Sequence, residues 1–557
     1  MPSGELGVHA ISDKYVDEYA ALDPLTATFQ GISGHDEDMP DLTPDGHDAR
    51  RELAGNALRA MAASQPADDG EQNAKAVFLE RIGLDTEVHD AGLRYSELNV
   101  MESAPQIIRM FFDLMATETA EDWRTIATRL AKVPETMAGY QECLRYGAQR
   151  GRVSALRQVE RTAEQCDVWT GSTPFFDTFV AAAESVSGAP HAELAESARR
   201  ATQAYAEFAT FLRTELAPQA PAEDAVGKDV YTLWSRMYLG AAVDLIEAYH
   251  WGWAEFTRIE AEMKDVSGRI RPGATLAEAA AELDANPRYL LVGQDALVDW
   301  MQRLSDQALA DLRDVHFEIP DELMRLECLI APPGGPLGAY YTGPSDDFAR
   351  PGRMWWSVEA DRDDFRTWRE TSTVYHEGVP GHHLQVATAV HQAESLNLFQ
   401  RMLTWVPGYG EGWALYAERL MREFGYLEDD GDLLGMLDAH LFRAARVIVD
   451  IGMHLKLEIP GGTGFHEGER WTPDLGLEFM STRTITDHAH VRSEIDRYLG
   501  WPGQAPAYKL GERMWLAARD EARARHGDAF SHKDFHMSAL RMGPMGLDTL
   551  RERLAAL

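Results

Sequence analysis

Apolar positions recur at helical spacing over most of this chain. The segment AELAESARRATQAYAEFATFLRTEL sets Leu194, Ala198, Ala201, Tyr205, Phe208 and Leu212 at three- and four-residue steps, one apolar stripe of a helix. Thr275-Leu-Ala-Glu278, just after Pro272-Gly273, reads as a capping box opening another. The pattern changes between about 327 and 358, where Gly and Pro residues separate two aromatic pairs, Tyr340-Tyr341 and Trp355-Trp356. Short strands joined by turns suit that stretch. Helical periodicity then returns to the C-terminus, broken at Gly461-Gly462 and Trp501-Pro502-Gly503. The expected fold is mainly α. One catalytic unit spans residues 1–557, with a helical N-terminal lobe over 1–270 and a C-terminal lobe over 271–557 that carries a small sheet.

Composition narrows the partners. Among 557 residues, 53 basic side chains face 90 acidic ones, a formal charge of −37. Such a polyanion repels phosphate backbones and anionic membranes, so neither nucleic acid nor a membrane surface is expected as a partner. No stretch approaches the ~18 apolar residues of a membrane span, and the opening MPSGELGVHAISDKYVDEYA lacks the basic start and apolar run of a secretory signal. Three widely spaced cysteines (Cys143, Cys166, Cys328) argue against a disulfide framework. A cytoplasmic protein is expected.

The candidate chemistry lies in TSTVYHEGVPGHHLQVATAVHQ, residues 371–392. Zinc-dependent hydrolysis needs two histidines one helical turn apart, with a glutamate beside the first to take a proton from the attacking water. His376-Glu377 supplies the first pair, but the position four residues on is Pro380. Proline there removes a hydrogen bond to the His376 carbonyl, so the helix must bend or bulge, and Gly378 and Gly381 permit it. Two π-bulged residues would bring His382 beside His376; three would be needed for His383. On an undistorted helix His383 stands two turns away, roughly 10 Å. His382 is therefore favoured as the second ligand and His383 is the alternative; a histidine cluster on a helix kinked for packing is the competing reading. A later stretch, GYGEGWALYAERL at 408–420, places Glu411 and Glu418 two turns apart on one helical face. One of them can reach a metal while the other hydrogen-bonds a ligand histidine.

HEGVPGHHLQ and EGWALYAE, with EIDRYLGWPGQAPAYKLGE from Glu494 to Glu512, resemble the bacterial domain-of-unknown-function family 885 over nearly the whole chain. That family is similar in fold to carboxypeptidase Taq-type, thimet-oligopeptidase-type and angiotensin-converting-type zinc metallopeptidases. The resemblance implies two helical lobes, a deep groove between them and a small sheet along the groove. It implies one zinc ion held by His376 and Glu411, with Glu377 as general base and Glu418 behind the ligands. It also implies that the strands near Tyr340, Tyr341 and Trp355 align an extended peptide, and that Tyr508 stabilises the tetrahedral intermediate. Asp450 and His454 are candidates to support the site or to form a buried structural pair. A carboxypeptidase needs a cation for the terminal carboxylate, and Arg350, Arg353, Arg443, Arg446 and Arg483 are candidates. The expected function is zinc-dependent hydrolysis of short or unfolded peptides. The alternatives are an inactive peptide-binding relative and a metal-dependent amide hydrolase acting on a non-peptide.

Overall fold

The structure is a computed structural model and describes residues 7–331, 338–359 and 362–556. Helices make up most of it. The apolar stripe expected around Leu194 lies on a helix from His191 to Phe211, and Leu194, Ala198, Ala201, Tyr205 and Phe208 are all buried in one core with Trp123 and Phe112. Thr275 caps the Leu276–Ala285 helix, its hydroxyl accepting from the Glu278 N–H while the Glu278 carboxylate accepts from the Thr275 N–H. No helix among the described residues is long and apolar enough to cross a membrane.

The chain forms two compact units, neither continuous in sequence. One comprises residues 1–66, 82–226 and 493–501; the other comprises 67–81, 227–492 and 502–557. The long segment of the second unit thus begins at 227. The reason is packing: the Leu245–Ile270 helix lies against the Asp430–Leu455 helix of the second unit, where Gly252 lets Val447 and Ile448 approach closely.

The Gly- and Pro-rich stretch holds three short strands: β2 (Leu326–Ile330), β3 (Ala339–Thr342) and β4 (Gly352–Trp356). β4 is central, parallel to β2 and antiparallel to β3, with Tyr340 opposite Trp355. The run at 332–337 lies outside the described residues. A two-stranded ribbon, β1 (Leu290–Val292) with β5 (Asp364–Arg366), was not foreseen; three-residue strands carry too little alternation to be read. The three-stranded sheet lies against the segment that carries the histidines: Gly352 approaches His383, and the Met354 side chain approaches Gly378.

Candidate metal centre

All the candidate ligands lie in the second unit, on three successive α-helices. The first, Thr367–Glu377, ends where Gly378 leaves helical geometry; the next, His382–His391, starts directly after Gly381. The expected bulged helix is therefore corrected: the chain breaks outright, with a four-residue turn at 378–381 that contains a cis Val379–Pro380 bond. The local reason is legible in the residues. Pro380 has no N–H to continue the helix. Gly381 folds back until its N–H meets the Tyr375 carbonyl at 3.1 Å, and a Cβ at 381 would collide with the His376 carbonyl. Trp413 of the third helix, Pro407–Glu423, fastens the turn by donating its indole N–H to the Pro380 carbonyl at 2.8 Å.

The break brings His376 and His382 together, ring centroids 4.9 Å apart and planes nearly perpendicular. One potential ligand atom each from His376, Glu377 and His382 lies within 4.8 Å of the others. Glu411 completes the group: its Oε2 stands 3.3 Å from His376 Nε2 and 3.5 Å from His382 Nε2. Atoms coordinating a tetrahedral zinc stand about 3.3 Å apart, the edge set by bonds of ~2.0–2.1 Å. The Glu411 contacts match that edge. Two atoms here are buried without a protein partner, Glu377 Oε2 and His382 Nδ1. An uncompensated carboxylate oxygen beside three converging ligands fits a cation and a water molecule.

Behind this group, Glu418 is fully buried, and His376 Nδ1–H donates to its Oε1 at 2.8 Å. That bond fixes the tautomer and turns Nε2 toward Glu411. The far oxygen of Glu418 faces His440 Nε2 at 3.5 Å. Lys509, itself buried, donates to His440 Nδ1 at 3.0 Å and pairs with Glu512 and Glu255.

Charges in this cluster shift as the contacts require. Burial works against a charged His376, but its hydrogen bonds to Glu411 and Glu418 outweigh that and lift it to about 9. Burial likewise opposes ionisation of Glu411, yet hydrogen bonds from His376 and His382 hold its carboxyl well below the usual range. Glu418 is held low as well: burial is overcome by the Arg443 charge and the His376 hydrogen bond. Glu377 is pushed up, chiefly by burial.

His383 is placed elsewhere. Its Nε2 donates to the Leu323 carbonyl at 2.8 Å, which leaves Nδ1 to accept from the Tyr341 hydroxyl at 2.9 Å. Both nitrogens are engaged, and burial pushes the ring down to about 4, so it is neutral at pH 7. Tyr341 is thus committed to His383, while Tyr340 stacks on Trp355.

Asp450 and His454 do not join the metal group. Both are fully buried, and Asp450 accepts from the Tyr231 hydroxyl and the Gly503 N–H, tying the Gly227–Leu239 helix to Gly503. Tyr508 sits in the first turn of the Ala507–His526 helix, its ring flanked by Arg443 and Arg446 at 5.8 and 5.0 Å. Of the arginine candidates, Arg353 pairs with Glu327 and Arg483 with Glu260, while Arg350 lies exposed in a loop.

The model of a family described as bacterial proteins of unknown function, DUF885, matches residues 24–554. The chain belongs to that family. Among solved structures, this DUF885 chain is similar to a protein from Colwellia psychrerythraea, provisionally named a lipoprotein, at a TM-score of 0.85 and 24% identity, over 99% of this chain and 98% of that one. It is also similar to one from Shewanella oneidensis, likewise provisionally named a lipoprotein and of unknown function, at 0.75 and 15% over 99% and 100%. At those identities the likeness carries the fold. No curated protein matches.

Sequence reading passed over His440, Lys509, Glu512 and Trp405. The signal for the first was present: LDAHLFRAARVIV sets Asp438, His440, Arg443 and Arg446 in an otherwise apolar helix, and such interior polar groups need partners. Lys509 and Glu512 are an i,i+3 pair buried rather than solvated. Trp405, 53% exposed and 6.1 Å from the His382 ring, carries no local signature.

Proposed function

We propose that this DUF885 protein is a zinc-dependent peptidase. The observation that supports the reading best is the set of Glu411 contacts, 3.3 and 3.5 Å to the two histidine Nε2 atoms, the spacing of a tetrahedral zinc site. His376, His382 and Glu411 hold the ion. Zinc in that position supplies Lewis acidity toward water and a peptide carbonyl.

The chain's own groups do the rest. Glu377 takes the proton of the attacking water on Oε2 and passes it to the departing amine. Its burial favours the proton-bearing form once the proton is taken, which suits an acid for the second step. Glu418 keeps His376 Nδ1 protonated, so Nε2 stays the liganding atom. Tyr508 donates its hydroxyl to the developing oxyanion. Edge strand β3, bonded on one side only among the described residues, aligns the substrate by main-chain pairing. His376, Glu377 and His382 are each 6% exposed or less, so an extended segment reaches them and a folded surface does not. Short or unfolded peptides are the substrates of this reading. A cytoplasmic location belongs to the same proposal and rests on three buried, unpaired cysteines. The provisional names of the two solved relatives favour a membrane-anchored protein instead, and cell fractionation decides between them.

Digestion of a defined peptide library, read by mass spectrometry, tests the function. Zinc-loaded protein cleaves and chelator-stripped protein does not, and the fragments report trimming or internal cutting. A library left intact by zinc-loaded protein overturns the proposal.

A further inference from the structure

The Asp430–Leu455 helix carries a second constellation, along the stripe through Asp438, Phe442 and Arg446. A cavity of about 180 Å³ opens there, walled by Trp368 and Phe442 and lined by Arg369, Asp438, Arg443 and Arg446.

Two of its charged groups each carry a buried atom with no hydrogen-bond partner. Arg443 donates Nη1 to the Ala439 carbonyl at 3.3 Å, its buried Nε meets no acceptor, and it makes no ion pair among the described residues. Asp438 accepts from the Ile485 backbone, but its buried Oδ1 has no partner. The two groups line one cavity without pairing to each other. Arg369 pairs with Asp284 at 2.8 Å, and its charge acts on Asp438 as well.

A buried donor or acceptor atom left without a partner keeps its desolvation penalty uncompensated. One ligand carrying both a carboxylate and an ammonium compensates both groups at once, where a simple anion or cation answers only one. We propose that this cavity is a binding site for a free α-amino acid: its carboxylate on the Arg443 fork, its ammonium on Asp438 Oδ1, and its apolar side chain between Trp368 and Phe442. The bidentate geometry of guanidinium with carboxylate suits the first contact. Burial lifts the Asp438 carboxyl to about 6 although the Arg369 and Arg443 charges pull it down, and an ammonium at Oδ1 would favour the ionised form further. The proposal goes beyond the peptidase reading and does not depend on it, although an amino acid is what hydrolysis of short peptides releases.

Isothermal titration of the full chain with L-phenylalanine, L-phenylalaninamide and N-acetyl-L-phenylalanine tests it. The amide lacks the carboxylate and the acetyl compound lacks the ammonium. The zwitterion is expected to bind at least tenfold more tightly than either. Arg443→Met should remove the advantage over the amide, and Asp438→Asn the advantage over the acetyl compound. In case a variant does not fold, wild-type protein is treated with phenylglyoxal, and phenylalanine should protect Arg443 from modification as mapped by mass spectrometry. Equal binding of all three compounds, no binding, or unprotected Arg443 overturns the assignment. These readouts are independent of metal and of peptide cleavage, so a failed peptidase assay leaves them interpretable.

Discussion

His376 Nδ1 and the Glu418 carboxylate meet at 2.8 Å inside the second unit, with neither side chain more than 4% exposed. Glu418 reaches His376 because it lies two turns beyond Glu411 on one helix. The two carboxylates therefore clasp the same imidazole from opposite nitrogens, Glu411 at Nε2 and Glu418 at Nδ1. Removing Glu418 frees the ring to turn and to change tautomer. Glu418→Ala is expected to weaken zinc binding by ~10–100-fold without abolishing it. Competition with a chromophoric chelator measures this; an unchanged affinity assigns Glu418 to packing alone.

The two adjacent histidines part company. His382→Ala removes a converging ligand and is expected to leave the protein without stoichiometric zinc. His383→Ala leaves the Tyr341 hydroxyl and the Leu323 carbonyl unpaired, at a cost of ~1–3 kcal/mol in stability, with one zinc still bound. Metal analysis beside a urea denaturation curve separates the outcomes, and zinc loss on changing His383 alone contradicts the geometry.

Glu377→Gln keeps the side chain's size but cannot accept a proton. Turnover should fall ~10²–10⁴-fold with zinc content intact. A zinc-replete Gln variant that still cleaves peptides removes Glu377 from the chemistry.

Proton linkage follows from His376. Its folded value, about 9, lies above the ordinary 6.5. In metal-free protein its two hydrogen bonds therefore contribute stability that is fully present below pH 6.5 and lost as pH rises through 9. Zinc must displace the same proton, so uptake at pH 7 to 8 releases protons and apparent affinity climbs with pH up to about 9. Calorimetry in buffers of differing ionisation enthalpy counts the released protons; none released means His376 is not a ligand.

Tyr508→Phe deletes a hydroxyl and keeps the ring between its two arginines. Loss of one oxyanion donor costs ~3–4 kcal/mol of transition-state stabilisation, so kcat should fall at least a hundredfold at constant zinc content. An unaltered kcat passes the role to another donor.

Much of this was legible in the residues because it rests on short-range rules. The stripe through Leu194, the Thr275 cap and the Glu411/Glu418 spacing each follow from helical periodicity. The turn at 378–381 was only half legible. Pro380 announces a break, but whether the chain bulges or stops depends on Trp413, contributed 33 residues later, which holds the Pro380 carbonyl. The partners of His440 were hidden for the same reason. Lys509 comes from a helix 69 residues further on, and no local pattern states which buried charges will meet.

Zinc titration of the metal-stripped chain, beside its His376→Ala, His382→Ala and Glu411→Ala variants, tests the central claim most directly. The account predicts one tightly bound zinc per wild-type chain and loss of that stoichiometric site in each of the three variants. A wild-type chain that binds no zinc, or variants that bind it as the wild type does, would contradict it.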